Sequence, residues 1–521
     1  MSRSAKFPFL RSLLRAVNES QLSERQTEQR ASASLSRRNF LQSSAIVAGI
    51  GAIDIVIPDV TWSQRKGKPK IVIVGAGLAG LTTAYELRKK GIIAQVYEGN
   101  SRIGGRVMTV RDVIAPGLIT EYGGEFIDTG HAEIHRLARE LELTMTDVKP
   151  ISRSHLKDML YFEQRHHTEA ELIEGFKPIA GRLIEDAEKI EGRYDQSFSK
   201  LDLTTLEQYV ISLEAENWIK QLLMVAFAIE YGLDPPAQSA CNMLSMIDPG
   251  AAGKPELYGD SDERYRIRGG NDLLTRGLAQ KLTDQIELGH RLASIRATGR
   301  QFELTFDSSA GSKPVIADIV VMAIPFSMLR DVEIKVELPP DKIHAISSLG
   351  YGSNTKVILG MQKQDGQAPW EKSGYNGALY TDMAIQSGWD SAPMQSAEHA
   401  SYTVYHGGSY AMVAESLEGQ DLMPNAAGEM ALEGMRIALP GIDQSFNGRS
   451  KMFQWHRYPY SRGSYSAYKP GQWSMQGIEG RTEGQLYFAG EHCSKDYQGF
   501  MEGAAETGVK AANAILKKVK K

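Results

Sequence analysis

Cysteine is almost missing from this chain: Cys241 and Cys493 are the only two in 521 residues. That count excludes a disulfide framework and a metal site built from cysteine alone, and it says little about redox compartment. Long apolar runs are also missing. A mildly apolar stretch at residues 45–57 is interrupted by Asp54 and is shorter than the ~20 residues a spanning helix needs. Neither sign of charge dominates, since 59 Lys+Arg face 63 Asp+Glu for a net −4, so nothing in the whole-chain balance calls for a nucleic-acid partner. There is no P-loop, CxxC or Ser-His-Asp pattern to support a triphosphatase or a hydrolase, and no internal repeat. His406, His456 and His492 form no recognisable metal spacing, so no metal is expected.

What is present is length, apolar content and glycine. At roughly one domain per 150 residues the chain holds two or three domains, and 42% hydrophobic residues suffices for full-sized cores. The fifty glycines are informative by position, because glycine is needed where backbone must approach a ligand closely.

The small net charge conceals an uneven distribution. Residues 1–38 hold eight Arg or Lys against Glu19, Glu24 and Glu28, a surplus of five that leaves the rest of the chain at −9. Ser36-Arg37-Arg38-Asn39-Phe40-Leu41 followed by the apolar stretch resembles a twin-arginine export signal, the address of proteins that fold around a cofactor before crossing a membrane. The resemblance implies engagement of the twin-arginine translocation machinery and an exported, periplasmic enzyme. No clear Ala-x-Ala site follows, which leaves an uncleaved, membrane-tethered form open.

Residues 68–74 are a short β-branched run that leads into Gly75-Ala76-Gly77-Leu78-Ala79-Gly80, and residues 81–90 then follow helical spacing up to Gly91. Strand, glycine turn and helix in that order make a phosphate cradle. Gly75 permits the tight turn, Gly77 lets a pyrophosphate approach the backbone, and Gly80 lets the helix pack on the strand, with the helix N–H groups facing the phosphates. Residues 92–97 read as a second strand, and Glu98 at its end has the spacing of a carboxylate that accepts hydrogen bonds from an adenosine ribose.

Further blocks carry a resemblance over nearly all of residues 69–517. Ser101-Arg102-Ile103-Gly104-Gly105-Arg106-Val107 comes almost at once after Glu98. Glu121-Tyr122-Gly123-Gly124-Glu125-Phe126-Ile127, Arg266-Ile267-Arg268-Gly269-Gly270-Asn271, and a buried strand at residues 317–324 ending at Pro325 follow in order. The last blocks are Leu486-Tyr487-Phe488-Ala489-Gly490-Glu491-His492 and Gly499-Phe500-Met501-Glu502-Gly503-Ala504. This series resembles the flavin amine oxidase family, which includes monoamine oxidases and L-amino acid oxidases.

The resemblance implies an α/β fold: a Rossmann-like FAD-binding domain interleaved with a substrate domain of helices and an antiparallel sheet. It puts the export signal and linker at 1–65, the FAD domain at 69–145, 256–330 and 451–517, and the substrate domain at 146–255 and 331–450. The last includes a lobe of amphipathic helices, expected at 169–191 and 203–225. The implied cofactor contacts are Gly75, Gly77, Gly80, Glu98, Gly105, Arg106, Gly124, the backbone of Leu292, Glu491 and Met501. Lys356 matches the family lysine that reaches flavin N5 through a water and assists reaction with oxygen. Tyr465 and Phe500 match two facing aromatic residues that form a cage for the amine, where ring faces shield a neutral amine and attract a cation. Tyr231, Trp389, Tyr402 and Trp455 are further aromatics that either line the pocket or belong to the core.

Ser464 stands where some family members carry a flavin-linked cysteine, so the FAD is expected to be non-covalent. The family's L-amino acid oxidases often place Arg two residues after the fingerprint arginine to clamp a carboxylate, and Met108 stands there. The implied activity is hydride transfer from the carbon bearing a neutral amine to flavin N5, giving an imine, then an aldehyde or keto acid, ammonia and hydrogen peroxide. The alternatives are an L-amino acid oxidase or a quinone-linked L-amino acid dehydrogenase, with oxygen or a quinone as acceptor. A carotenoid-type desaturase on the same fold would not need the lysine and the aromatic cage. The partners are thus a small-molecule amine or amino acid and the acceptor, and a homodimer is compatible with the reading.

Overall fold

The computed structural model describes residues 69–190, 195–248, 256–257, 261–396, 398–412 and 426–519. The twin-arginine motif and the apolar stretch after it lie outside the described residues.

Ile71–Val74 is a strand with all four residues buried. It is the centre of a five-stranded sheet in the order Ile286–Glu287, Ala94–Tyr97, Ile71–Val74, Ile319–Met322, Leu486–Phe488, and every pairing is parallel. A parallel sheet needs cover on both faces, which is why these strands read as continuous apolar runs. One face is covered by the helices Leu78–Arg88 and Met501–Val519. They pack closely at Gly508, whose added Cβ would lie 2.6 Å from the Ala79 carbonyl oxygen, and Thr83 Oγ1 donates to Gly508 O at 3.1 Å. The other face meets a four-stranded sheet in the order Gly311–Ala317, Gln301–Ser308, Arg291–Thr298, Glu333–Lys335, with Val72, Val74, Ile295 and Phe306 in one shared core.

A seven-stranded sheet stands apart from the first, in the order Phe446–Gln454, Asn354–Gln362, His399–Gly407, Ser387–Asp390, Tyr375–Thr381, Lys157–Phe162, Arg165–His167. Its pairings are antiparallel except that Tyr375–Thr381 runs parallel to Lys157–Phe162. Residue 451 falls inside its edge strand Phe446–Gln454.

A helical lobe packs on one face of this sheet, sharing a core that includes Phe162, Trp218, Phe227, Trp389 and Tyr405. The helix expected at 169–191 is Glu169–Ile190, with Pro178 inside it. The helix expected at 203–225 is instead three pieces: the end of Gln196–Leu203, then Leu206–Ile211, then Asn217–Tyr231. Thr205 explains the first break. Its side chain accepts from Gln208 N at 3.1 Å while Gln208 Oε1 accepts from Thr205 N at 3.2 Å, a capping box that starts a new helix where hydrophobic periodicity runs straight through.

Candidate functional site

The two glycine fingerprints meet at the carboxyl end of the parallel sheet. Gly75 adopts φ +105°, and a Cβ there would sit 2.7 Å from the Ala323 carbonyl oxygen; a Cβ at Gly80 would lie 2.0 Å from the carbonyl oxygen of Gly75. Gly104 N donates to Ala76 O at 2.9 Å, and Gly105, at φ +56°, brings its missing side chain to 3.3 Å from the Cα of Gly77. A side chain at Gly75 or Gly80 would therefore run into backbone, and one at Gly105 would close the gap between the two turns.

Beside these turns lies a cleft lined by Gly75, Gly77, Glu98, Gly105, Arg106, Leu292, Glu491, Phe500 and Met501, among others. Of the residues expected at the site, Gly80, Gly124, Lys356 and Tyr465 do not line it. The helix Leu78–Arg88 starts at Gly77 with no side chain capping its N-terminus, so its first N–H groups face the cleft as anion donors. Glu98 closes the far side of the turn. Its Oε2 accepts from Ala76 N at 2.7 Å and its Oε1 from Asn100 N at 2.8 Å. Burial raises its pKa, with these two bonds and Arg102 opposing.

Glu491 ties the cleft to the aromatic pair. Its Oε1 accepts from Arg106 Nη1 at 2.8 Å and from Ser466 N at 3.0 Å, and its Oε2 accepts from Ser466 Oγ and Gly499 N, each at 2.8 Å. Ser466 follows Tyr465 and Gly499 precedes Phe500, so one carboxylate fixes the backbone beside both rings. Burial alone would raise its pKa, but the charges of Arg106 and His492 and the hydrogen bonds from Arg106 and Ser466 outweigh it and hold the group at about 2. Arg106 Nη1 also donates to Ser464 O at 2.9 Å.

Tyr465 is fully buried beside Trp455, with Met108, Phe453 and Tyr458 packed around them. Its hydroxyl donates to Ile229 O at 2.9 Å and lies 3.1 Å from the Tyr405 hydroxyl. Phe500 lies in the cleft wall, edge-on to the buried ring of His131 at 5.4 Å between ring centres. Leu292 sits in the strand Arg291–Thr298 where that strand meets the cleft.

Lys356 leaves the strand Asn354–Gln362 and is 3% exposed. Its Nζ donates to Glu121 O at 2.9 Å, Gly123 O at 3.1 Å and Glu125 Oε2 at 2.6 Å, which matches the three N–H bonds of an ammonium. All three acceptors belong to the segment around Gly123 and Gly124. That segment lies against the second fingerprint, with Gly124 N donating to Arg106 O at 3.2 Å and no room for a Cβ at Gly123, which would be 2.0 Å from the same oxygen. The Glu121 carboxyl beneath it is raised by burial to about 7, although Asn271 N and Thr109 donate to it.

Several residues around Lys356 have no assigned role in the sequence reading. Glu125, Arg266 and Tyr405 are the main ones, with Trp389 anticipated only as a pocket or core aromatic. Trp389 Nε1 donates to Glu125 Oε1 at 3.0 Å, Arg266 Nη2 lies 2.9 Å from the same oxygen, and Trp389 packs edge-on against Tyr405 at 5.2 Å. Glu125 and Arg266 do occur in the quoted sequence blocks, but what joins them is long-range pairing. Trp455 Nε1 donates to Tyr122 O at 2.7 Å, Tyr402 packs on Trp370 in a separate core, and Tyr231 donates to Asn242 O within the lobe core that it shares with Trp389 and Tyr405. Among the described residues no group of His, Cys, Asp or Glu has metal-binding geometry. Cys241 and Cys493 are not bridged.

The sequence profile described as "Flavin containing amine oxidoreductase" matches residues 78–516. The chain is 24% identical over 511 residues to a pseudooxynicotine dehydrogenase of a Pseudomonas species, covering 91% of this chain and 94% of that protein. It is 24% identical over 475 residues to the putative L-amino-acid oxidase YobN of Bacillus subtilis (strain 168), covering 85% and 94%. The fold is similar to that of cyclohexylamine oxidase from Brevibacterium oxydans IH-35A, with a TM-score of 0.70 and 20% identity over 87% of this chain and all of that one.

Proposed function

Because the chain belongs to the family of flavin-containing amine oxidoreductases, we propose that it is an FAD-dependent amine oxidase that converts an amine, oxygen and water to an aldehyde or keto acid, ammonia and hydrogen peroxide. When bound, the flavin supplies the two-electron acceptor for the carbon that bears the amine. The residues present fit such a cofactor: a cleft free of side chains at Gly75, Gly77 and Gly105, an uncapped helix N-terminus, the Arg106 guanidinium and the Glu98 carboxylate are the groups that would hold its diphosphate and ribose.

The chain's own residues do the rest. Tyr465 and Phe500, held through Ser466 and Gly499 by Glu491, would flank the amine and exclude water from it. Lys356 would present a fixed cation on the oxygen side of the site. Ser464 offers no thiol, and its hydroxyl donates to Asn354 Oδ1 at 2.5 Å, which supports a non-covalent cofactor; flavin that stays with acid-precipitated protein would contradict this.

The observation that carries the amine reading is the engagement of the guanidinium groups at this site. Arg266, the guanidinium beside Lys356, is bound through Nη2 to Glu125 and through Nη1 to Ser391 O, so it does not offer the two parallel donors that clamp a substrate carboxylate, while Arg106, tied through Nη1 to Glu491 and Ser464 O, lines the cofactor cleft. A second reading, oxidation of an L-amino acid, draws support from Arg266 Nε, a buried donor with no hydrogen-bond partner among the described residues. It also agrees with the name of the B. subtilis relative. A peroxide-coupled screen of primary amines, polyamines and L-amino acids on the purified holoenzyme decides between the two. Turnover of amino acids alone would overturn the first reading, and turnover with a quinone but without peroxide would replace oxygen as the acceptor. We further propose export by the twin-arginine route, supported by the motif at residues 36–41.

A further inference from the structure

Glu125 is 2% exposed and receives donors from three separate elements. Lys356 comes from Asn354–Gln362, Trp389 from Ser387–Asp390 and Arg266 from Tyr265–Ile267. Among the described residues no other carboxylate lies within ion-pair distance of Lys356 or of Arg266, so two buried cations share one anion. Lysine has a flexible four-carbon stem and a point charge, and nothing intrinsic to it selects one position for Nζ. Here the position is set by the two carbonyls of Glu121 and Gly123 and by the 2.6 Å contact with Glu125, the one charged acceptor of the three.

We propose that Glu125 is a positioning residue that fixes Lys356 Nζ beside the Gly123 and Gly124 pair, with Arg266 and Trp389 holding the carboxylate in place. The proposal rests on the reading that Lys356 assists reaction with oxygen. Glutamine at this position keeps the volume but turns an NH2 toward either Lys356 or Arg266, so one cation loses its acceptor and moves.

The test compares holoenzyme of E125Q, K356M and the double variant, each reduced without oxygen and then mixed with it while flavin absorbance is followed. E125Q and K356M are each expected to slow reoxidation by about tenfold or more, within the range that misplacing a reacting group by ~1 Å produces. The double variant is expected to be no slower than K356M, and the KM for the amine is expected to change less than the reoxidation rate. A crystal structure of the E125Q holoenzyme reads the position directly, with Nζ expected to leave the Glu121 and Gly123 carbonyls.

An unmoved Nζ, normal reoxidation in E125Q, or effects that multiply in the double variant overturn the role of Glu125 while leaving a slowed K356M, and so the reading of Lys356, intact. Normal reoxidation in K356M removes the reading of Lys356 and the proposal with it. Should E125Q fail to accumulate as holoenzyme, E125D and W389F disturb the same carboxylate more mildly. Each is then expected to slow reoxidation less than K356M does, and wild-type rates in both overturn the proposal.

Discussion

At the scale of single residues, two buried carboxyls give the enzyme opposite responses to pH. Glu491, held at about 2 against an ordinary 4.5, contributes stability that is full above about 4.5 and is lost as pH falls through about 2. Replacing it with glutamine leaves Arg106 without its counter-ion, and breaking a buried pair in this way is expected to lower stability by about 3–5 kcal/mol. Thermal unfolding and flavin retention after gel filtration measure the loss. Glu121 works the other way. Burial raises it to about 7, so the fold keeps a proton that the unfolded chain releases near 4.5, and stability falls as pH rises from 4.5 through about 7. Glu121→Gln should flatten the melting-temperature profile across that window, by an amount on the order of 3 kcal/mol at its upper end; a profile as steep as that of the unsubstituted protein would refute the assignment. The glycine positions of the cleft were legible in the sequence because turn geometry is local, decided within a few residues of Gly75 or Gly105. The set around Glu125 was not, since Lys356 and Trp389 lie 231 and 264 residues away and only strand pairing brings them together.

At the scale of elements, apolar spacing located the central strand and the long lobe helix but missed an interruption made by polar side chains. Thr205 and Gln208 form a reciprocal cap in the middle of an otherwise helical pattern, and the capping signature outranks the periodicity. Thr205→Ala should lower stability by about 1 kcal/mol, typical of a lost N-cap, while turnover stays unchanged because the residue touches no part of the cleft. A melting curve beside a steady-state assay checks both halves. The four-stranded sheet Gly311–Ala317, Gln301–Ser308, Arg291–Thr298, Glu333–Lys335 was legible only in part. Leu292 is expected at the cofactor through its backbone, but which strands pair around it depends on hairpin registers that the side-chain pattern leaves open.

At the scale of the whole molecule, family blocks spread along the chain carry the expectation of a discontinuous cofactor domain, and the parallel sheet draws its strands from Ile71–Val74, Ala94–Tyr97, Ile286–Glu287, Ile319–Met322 and Leu486–Phe488. The export proposal also belongs here. Arg37→Lys with Arg38→Lys, in the full-length protein expressed in a bacterium with the twin-arginine system, should hold active enzyme in the cytoplasm. Fractionation with a flavin-absorbance assay measures this, and unchanged export would rule the route out. The parallel sheet carries a consequence for biosynthesis. Strand Ile71–Val74 and the first glycine turn are made early, but Leu486–Phe488, Glu491, Phe500 and the helix Met501–Val519 leave the ribosome more than 400 residues later. Through most of translation a nascent chain therefore lacks the part of the cleft wall that Glu491, Phe500 and Met501 supply. The complete cleft exists only once synthesis has passed that last helix, so its closure couples the first strand made to one of the last elements to fold.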